Sequence, residues 1–555
     1  MQSFLQKNHR VIFYSIWLLL SGFQAAFTEL IDDEAYYWVY SRFPAWGYYD
    51  HPPMIAIMIK AGYSVFHNEF GVRVISILMN TISLMIIEKM LIHKNAALFY
   101  AIVLSIIVLQ FESFMAIPDT PLIFFSALFF WCYKNYLKKN SLSNTLFLGI
   151  ITALLLYSKY HGILVVLLTL LSNVKLLNQR TTYIAMGVAL FCFAPHLWWQ
   201  YKYDWISFRY HLFESNVNPY EFNFTLDYLV GQILIAGPLA GLILLPAAIS
   251  YTPQNVFEKT LRFTMIGIYL IFLISSFRGK TEANWTAPAL IPMIVLSHQF
   301  LNYNVRWRSL LFKLLPLSLA IAFFLRVIIV ADILPSRPLR MNFHAWKIWP
   351  AQMRDRTKNL PIVFNNSYGR SSKYWFYTGQ MTYSLNHYKD RRNNYNLWPI
   401  EDSLLGKPVY VLDIHNLNEF TDSLKMSLGW IGYRYDPSFA SFGRAYIKTE
   451  HDKYKIRPGE QLTLSCQIFM PEQHYTFLTS HPELKTELWI GYFNNQKLLK
   501  EELLPFTLQQ VSSENSFVVQ VTPHLPVGKY FLRFGIRANN NLPSHNSKKI
   551  RLLVQ

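Results

Sequence analysis

Four short stretches of this 555-residue chain hold residue types that could take up a proton and bind a phosphate. Thr28-Glu29-Leu30-Ile31-Asp32-Asp33-Glu34-Ala35-Tyr36-Tyr37-Trp38 sets three consecutive acids before an aromatic run, a flat surface for a sugar or an interfacial anchor. Trp46-Gly47-Tyr48-Tyr49-Asp50-His51-Pro52-Pro53 sets an acid and an imidazole before paired prolines, which fix φ and hold the pair in place. Pro118-Asp119-Thr120-Pro121 carries an isolated acid, and Ser158-Lys159-Tyr160-His161 a cation and an imidazole between two apolar runs. A further stretch, Arg278-Gly279-Lys280-Thr281-Glu282 with Trp285, repeats the mixture. Glycosyl transfer from a lipid-linked phosphate sugar needs this set. The attacking hydroxyl loses its proton to a carboxylate, the departing phosphate gains charge that fixed cations must face, and apolar helices hold the prenyl tail.

Each stretch also has a plainer reading. Three acids beyond a membrane span suit a solvated loop, and Asp50-His51 suits a rigid turn before the amphipathic segment 54–66. Asp119 suits a helix N-cap, its carboxylate accepting from free backbone N–H groups. Lys159 could snorkel to the interface, although a cation near membrane depth without an anion is costly. The same residues would also serve a transporter or flippase of lipid-linked or anionic substrates. That alternative calls for charges across the membrane midplane and an inverted repeat; no convincing repeat is visible, and the polar motifs gather at one side.

The elements that must position these residues follow from composition. Hydrophobic residues make up 52% of the chain, aromatics 17% and charged residues 15%, against roughly a quarter charged in a soluble protein. The deficit ends near Asp332, so a membrane domain precedes a soluble region. Candidate spans of the length a bilayer demands are 11–27, 72–92, 96–113, 120–137, 144–158, 162–176, 181–199, 228–250, 262–277, 285–303 and 309–332. The first reads as a retained anchor rather than a cleaved signal.

With Lys7 and Arg10 inside, the interior turns carry Lys89 and Lys94; Lys134, Lys138 and Lys139; Lys175 and Arg180; Lys259 and Arg262; and Arg306, Arg308 and Lys313. That is the positive-inside pattern. Every chemically unusual stretch, with the long first loop 28–71 and the segment 200–227, then falls outside, as does the soluble region. The net charge of +18 reads as these loops and a basic region near anionic lipid. No strip of cations and aromatics tracks a phosphate backbone, so a nucleic-acid partner is not expected. Cys132, Cys192 and Cys466 lie too far apart to suggest a disulfide framework.

Taken in order, Asp33-Glu34 with its aromatics, Tyr49-Asp50-His51-Pro52-Pro53, Asp119-Thr120-Pro121-Leu122 and Ser158-Lys159-Tyr160 resemble bacterial members of the protein O-mannosyltransferase and lipid A aminoarabinose transferase group. These are GT-C glycosyltransferases, and the resemblance covers roughly residues 10–330. It implies an integral enzyme of the cell (inner) membrane that moves a sugar from a polyprenyl phosphate to a hydroxyl on a glycan, lipid or protein acceptor, with inversion. By position, Asp33 becomes the catalytic base, Glu34 its support and Asp119 a second functional acid. Lys159 faces the donor phosphate; Asp32, Tyr36, Tyr37, Asp50, His51, His161, Arg278, Lys280, Glu282 and Trp285 line the substrate. Where aminoarabinose transferases carry lysine before the prolines this chain has His51, a weaker phosphate partner unless protonated. The acids Asp32, Asp33, Asp50 and Asp119 with His51 could offer metal ligands, but the mannosyltransferase-like branch implies that no metal or other cofactor is required.

The expected architecture is therefore a helical transmembrane domain over 1–333 followed by two extracytoplasmic parts. Residues 334–439, with strand candidates Pro361 to Phe364 and Val409 to Ile414, read as a small α/β unit. Residues 440–555, with candidates Gln461 to Phe469, Glu487 to Phe493, Ser516 to Val521 and Gly528 to Ile536, read as an immunoglobulin-like β-sandwich. No nucleophile or metal set shows in this tail, which reads as a binding or acceptor-positioning module.

Overall fold

The apolar runs of the first part of the chain fold as helices whose outward faces stay apolar. Val11, Leu19, Phe191 and Phe323 are between 67% and 81% exposed, a surface that costs free energy in water and almost none among lipid tails. The computed structural model describes residues 2–214, 219–413, 420 and 422–555 and divides the chain into two units, Met1–Pro335 and Ser336–Gln555.

The first unit is helical. Its chain runs through α1 (Gln2–Phe27), α2 (Asp32–Arg42), α3 (Met54–Tyr63), α4 (Glu69–Met90), α5 (Ala96–Ser105), α6 (Ile107–Glu112), α7 (Asp119–Lys138) and α8 (Leu142–Ser158). It continues through α9 (Gly162–Ser172), α10 (Arg180–Lys202), α11 (Ile206–Arg209), α12 (Phe222–Ile235), α13 (Gly241–Ser250), α14 (Val256–Ser276), α15 (Leu290–Tyr303) and α16 (Val305–Val330). The α1 segment Lys7–Phe27, α4, α10 and α16 are long and apolar enough to cross a membrane. Asparagine and serine start several helices: Asn68 accepts from the Gly71 N–H at 3.0 Å, Asn255 from Glu258 at 2.9 Å and Ser141 from Asn144 at 3.3 Å.

Two expected spans are broken rather than continuous. Residues 96–113 form α5 and α6, separated at Ile106, whose ψ of 91° leaves the helical region. Residues 228–250 form α12 and α13, separated at Gly237 with φ +111°. The two breaks meet: a Cβ on Gly237 would lie 2.5 Å from the Ser105 carbonyl oxygen. Apolar periodicity carries no mark of such interruptions; only the glycine does.

The second unit opens with α17 (Arg337–Phe343) and α18 (Trp349–Thr357). Then β1 (Ile362–Asn365), α19 (Tyr368–Thr378), β2 (Tyr383–Leu385) and β3 (Val409–Asp413) form parallel pairings with β1 central, and β4 (Asp422–Met426) and β5 (Gly429–Asp436) extend the sheet in the order β2-β1-β3-β5-β4. Ile414, expected to end β3, lies outside the described residues.

Two further sheets follow. One runs β11 (Ser516–Val521), β8 (Leu462–Phe469), β6 (Tyr446–Thr449). The other runs β10 (Lys497–Leu503), β9 (Thr486–Asn494), β12 (Gly528–Ala538), β14 (Ile550–Val554), β7 (Lys453–Ile456), with β13 (Ser544–His545) on β12. In β8 buried Leu462, Leu464, Cys466 and Ile468 alternate with exposed residues, as a strand with one face on a core requires.

A polar hub, absent from the sequence reading of this tail, ties the strands to α20 (Glu472–Ser480). Buried Glu401 accepts from the Tyr383 hydroxyl at 3.1 Å, the Gly443 N–H at 2.7 Å, the Arg444 N–H at 3.0 Å and the Ser441 hydroxyl. Asp402 accepts from His474 Nε2 at 3.1 Å and from the Arg444 guanidinium. The ligand atoms of Glu401, Asp402 and His474 lie within 4.8 Å of one another, as a metal set would. Their oxygens already accept protein donors, and the Arg444 guanidinium opposes a cation, so the group is a hydrogen-bonded clasp.

Burial alone would push the Asp402 carboxyl up, but hydrogen bonds from His474 and Arg444 outweigh it and hold the group below the usual carboxylate range. A carboxyl lowered on folding stabilises above its unfolded pKa, and that stabilisation is lost as pH falls through the folded value. Asp402→Asn is therefore expected to destabilise the full chain by about 1–3 kcal/mol at neutral pH, with the deficit shrinking below about pH 4. Unfolding followed by near-ultraviolet circular dichroism across that range checks it; a deficit that stays constant with pH would contradict it.

Candidate active site

An arginine inside an apolar helix organises the site. Arg73, fully buried in α4, donates to both oxygens of Glu34, Nε to Oε1 at 2.7 Å and Nη2 to Oε2 at 2.5 Å. Its remaining donors reach the carbonyls of Ala25 at 2.9 Å, Thr28 at 2.7 Å and Glu29 at 3.0 Å. The end of α1 and its exit loop are thereby fixed against α4. Glu34 also accepts from the Ala116 N–H at 2.8 Å, which brings the turn between α6 and α7 to the start of α2. The Phe114 ring in that turn is approached by two guanidinium groups, Arg73 at 5.9 Å and Arg326 of α16 at 5.7 Å. Arg326 also donates to the Gln110 carbonyl at 2.6 Å.

One residue of helix rotates a side chain by about 100°, so while Glu34 points inward, Asp33 is exposed in the same first turn and Asp32 is half-buried. Glu34, grouped with the catalytic acids in sequence, is thus enclosed and fully engaged; it fixes the turn that presents Asp33. The aromatic run is a correction. Tyr36 and Tyr37, expected as a flat surface for a sugar or an interfacial anchor, are 1% and 6% exposed, because both faces of α2 are covered. Their rings meet Tyr40 edge-on at 4.8 and 5.4 Å.

The second motif is held by the same aromatics. The Tyr40 hydroxyl donates to Asp50 Oδ2 at 3.3 Å, and Tyr40 stacks on Tyr48 at 4.0 Å. His51 meets the edge of Tyr37 at 5.6 Å, and His211 Nε2 donates to the Asp50 carbonyl at 2.7 Å. Gly47 lets this loop press on α10: a Cβ there would fall 2.5 Å from the Trp199 ring.

The third and fourth motifs bind each other. Asp119 opens α7 and Lys159 is the extended residue between α8 and α9. The Lys159 ammonium donates to both Asp119 oxygens, at 2.8 and 3.0 Å, with both side chains buried. Asn284 adds a hydrogen bond to Asp119 at 3.1 Å. The N-cap reading of Asp119 gives way to this pair, since the carboxylate makes no capping bond. Tyr160 links the helix break to the second motif. Its hydroxyl meets Gln200 at 2.8 Å and His196 at 3.2 Å; His196 donates to the Trp46 carbonyl at 2.7 Å, and Gln200 donates to Ser207, which donates to the Tyr48 carbonyl at 2.8 Å.

The last stretch is more dispersed. His161 packs on Trp285 at 5.4 Å and on Phe272 at 5.2 Å. Lys280 and Glu282 are more than half exposed and pair with each other at 3.1 Å, and Arg278 is exposed. Sequence reasoning missed Arg73, Asn284, Glu112, His196, Gln200 and His211. Arg73 and Glu112 carried a signal, an ionisable residue within an apolar helix, but each sat at the edge of an expected span.

Comparison with known proteins places the chain among similar folds and sequences. Residues 50–199 match the family model described as dolichyl-phosphate-mannose-protein mannosyltransferase. The chain is 24% identical over 310 residues to the lipid A galacturonosyltransferase RgtD of Rhizobium johnstonii, covering 52% of this chain and 63%, less than two thirds, of that protein. In three dimensions it is similar to ArnT from Cupriavidus metallidurans. Against the apo crystal structure the TM-score is 0.56 at 12% identity, over 77% of this chain and 98% of ArnT. Against ArnT bound to undecaprenyl phosphate it is 0.57 at 12%, over 76% and 97%. The fold is ArnT-like, of GT-C type, and the resemblance to that group holds.

Removing one partner of a buried ion pair strands the other charge. Glu34→Ala and Arg73→Ala are each expected to lower stability by about 3–5 kcal/mol, and Glu34→Leu with Arg73→Met to cost less than the sum of the two. Unfolding of the detergent-purified chain measures this; strict additivity would show that the two side chains do not act as a pair.

Proposed function

We propose that this chain is an integral membrane glycosyltransferase that moves a sugar from a polyprenyl-phosphate carrier to a hydroxyl of a lipid acceptor, with inversion. The observation that carries the reading is the single linked set of groups: Arg73 and Glu34 present Asp33 and hold the turn that leads into Asp119, and Asp119 holds Lys159. A base and a phosphate partner are thereby built onto one framework. The relatives support the substrates, one being named a lipid A galacturonosyltransferase and the other solved with undecaprenyl phosphate.

In this reading Asp33 takes the proton of the acceptor hydroxyl as its oxygen attacks the anomeric carbon. The bond from that carbon to the phosphate oxygen breaks and its electron pair leaves with the polyprenyl phosphate. Lys159 meets that charge, turning from Asp119 toward the phosphate, while Asn284 continues to satisfy the carboxylate. Asp50, held by Tyr40, and His51 border the acceptor side with Asp32; His161 and Trp285 border the donor side, and Arg278, Lys280 and Glu282 lie at the rim. The site works without a required metal. The remaining parts of the reading are eleven spans, a site on the outer face of the inner membrane, and an extracytoplasmic region of an α/β part (334–439) and an immunoglobulin-like part (440–555).

Membranes given a panel of radiolabelled polyprenyl-phosphate sugars should transfer label to lipid with the wild-type chain; no transfer from any donor would overturn the reading. Asp33→Asn should cut kcat by about 100- to 10,000-fold while the protein stays folded and inserted, and near-normal turnover would remove the assigned base. Lys159→Ala should raise the donor KM and leave the acceptor KM unchanged; equal use of donor by both proteins would remove the assigned phosphate partner.

A further inference from the structure

The seam between α1 and α4 carries a groove at the end away from the candidate active site. The two helices run antiparallel, and three contacts mark the seam. Arg10 Nε donates to Glu88 at 2.8 Å, Trp17 Nε1 to Asn80 Oδ1 at 3.1 Å, and Arg73 Nη1 to the Ala25 carbonyl at 2.9 Å. From Arg73 to Glu88 along α4 is about 22 Å at the helical rise per residue. The groove, of about 760 Å³, opens beside the Arg10 contact. Val11, Leu18 and Leu19 of α1 and Met85 of α4 line its length. The three α1 residues are exposed and recur at i, i+7 and i+8, so they share one face of the helix. The charged residues gather at one end, where Arg10, Lys89 and Lys94 stand against a single acid, Glu88. That carboxylate is already engaged, one oxygen by Arg10 and the other by the Tyr14 hydroxyl, each at 2.8 Å. Lys89 and Lys94 are exposed.

We propose that this groove binds an anionic glycerophospholipid, with its phosphate among Arg10, Lys89 and Lys94 and an acyl chain along the apolar floor. The inference rests on the reading of the chain as an integral membrane protein. The groove presents its two chemistries in the order a bilayer lipid has them, charge at the surface and hydrocarbon toward the middle. Three cations against one engaged acid leave a net positive mouth, which an anionic headgroup matches and a zwitterionic one does not. Each Lys or Arg close to such a headgroup strengthens the attraction by about 5-fold. The polyprenyl carrier is a poorer occupant, because its phosphate is called for at Lys159, on the framework built around Arg73 at the other end of α4. The lipid complements that framework. Arg73 ties α1 to α4 near the site, and the lipid bridges the same two helices where Arg73 does not reach.

The test titrates the detergent-purified full-length chain with phosphatidylglycerol and with phosphatidylcholine of identical acyl chains, counting bound lipid by native mass spectrometry. Wild type is expected to hold one phosphatidylglycerol about 10-fold or more tightly than phosphatidylcholine. Lys89→Gln with Lys94→Gln should weaken phosphatidylglycerol binding by about 10-fold or more, and Lys89→Arg with Lys94→Arg should retain it. Lys138→Gln with Lys139→Gln removes the same charge from another basic turn and should leave binding unchanged. Leu19→Trp, which fills the floor and keeps every charge, should also weaken it. Because a ligand of the folded state alone raises stability, phosphatidylglycerol should raise the Tm of wild type and not of the Lys89/Lys94 glutamine variant. Equal affinity for the two lipids overturns the proposal, and so does an equal loss in the Lys138/Lys139 variant, which assigns binding to surface charge in general. Displacement of phosphatidylglycerol by equimolar undecaprenyl phosphate overturns it in favour of the carrier. Release of the chain from membranes by alkaline carbonate overturns the membrane reading itself, a result distinct from indifference between lipids.

Discussion

A charge buried among apolar helices is the constraint from which the rest of the site follows. Arg73 cannot be left bare in α4, because an unpaired guanidinium among apolar helices is prohibitively costly. The fold surrounds it with the carboxylate of Glu34 and three carbonyls. Those acceptors come from the end of α1, the loop beyond it and the first turn of α2, so satisfying one side chain sets the path of the chain over Ala25 to Glu34. Because Glu34 has a further lone pair for Ala116, the same interaction reaches the turn before Asp119. Asp33 gains its position as a by-product: it is the neighbour of a residue that must point inward.

The second ion pair is of another kind. Arg73 and Glu34 are sealed in and bonded on all sides, which suits a permanent strut. Lys159 has three donor hydrogens and spends two on Asp119, and it hangs from an extended residue at the break between two helices. Asn284 gives Asp119 another donor when the ammonium turns away. A group that must exchange partners during a reaction is served by this looser arrangement, in which neither member is abandoned. Tyr160, next in sequence, carries the position of the break to the loop that bears Asp50 and His51 through His196, Gln200 and Ser207.

Much of this was legible in the sequence, for a physical reason. In an apolar background each charged residue stands out, so the acids Asp32 to Glu34, Asp119 and Lys159 could be picked from residue type and setting, while Asp33 is singled out among its neighbours by the family resemblance. Strands β8, β9, β11 and β12 fall within two residues of their expected ends, and in β8 and β11 one buried face imposes a strict alternation. Interactions that join distant segments were not legible. Nothing local in Tyr36 and Tyr37 says that both sides of their helix will be covered. Nothing near Asp119 says that its partner lies forty residues on. The breaks at Ile106 and Gly237 depend on each other across the fold, and the hub of Glu401, Asp402 and His474 assembles from separate loops and a helix.

The ring of Phe114, shared by the guanidinium groups of Arg73 and Arg326, has a consequence for how such chains diverge. Each cation is attracted to the π-face, and one ring serves two of them. An aliphatic replacement would forfeit both attractions in a single step, and loss of either arginine would leave the ring with one cation. Substitution at any of the three positions is therefore penalised unless the others change with it. In descent they should behave as one inherited character, spanning an early helix, a turn and the last helix of the first unit, even where the intervening sequence has drifted beyond recognition.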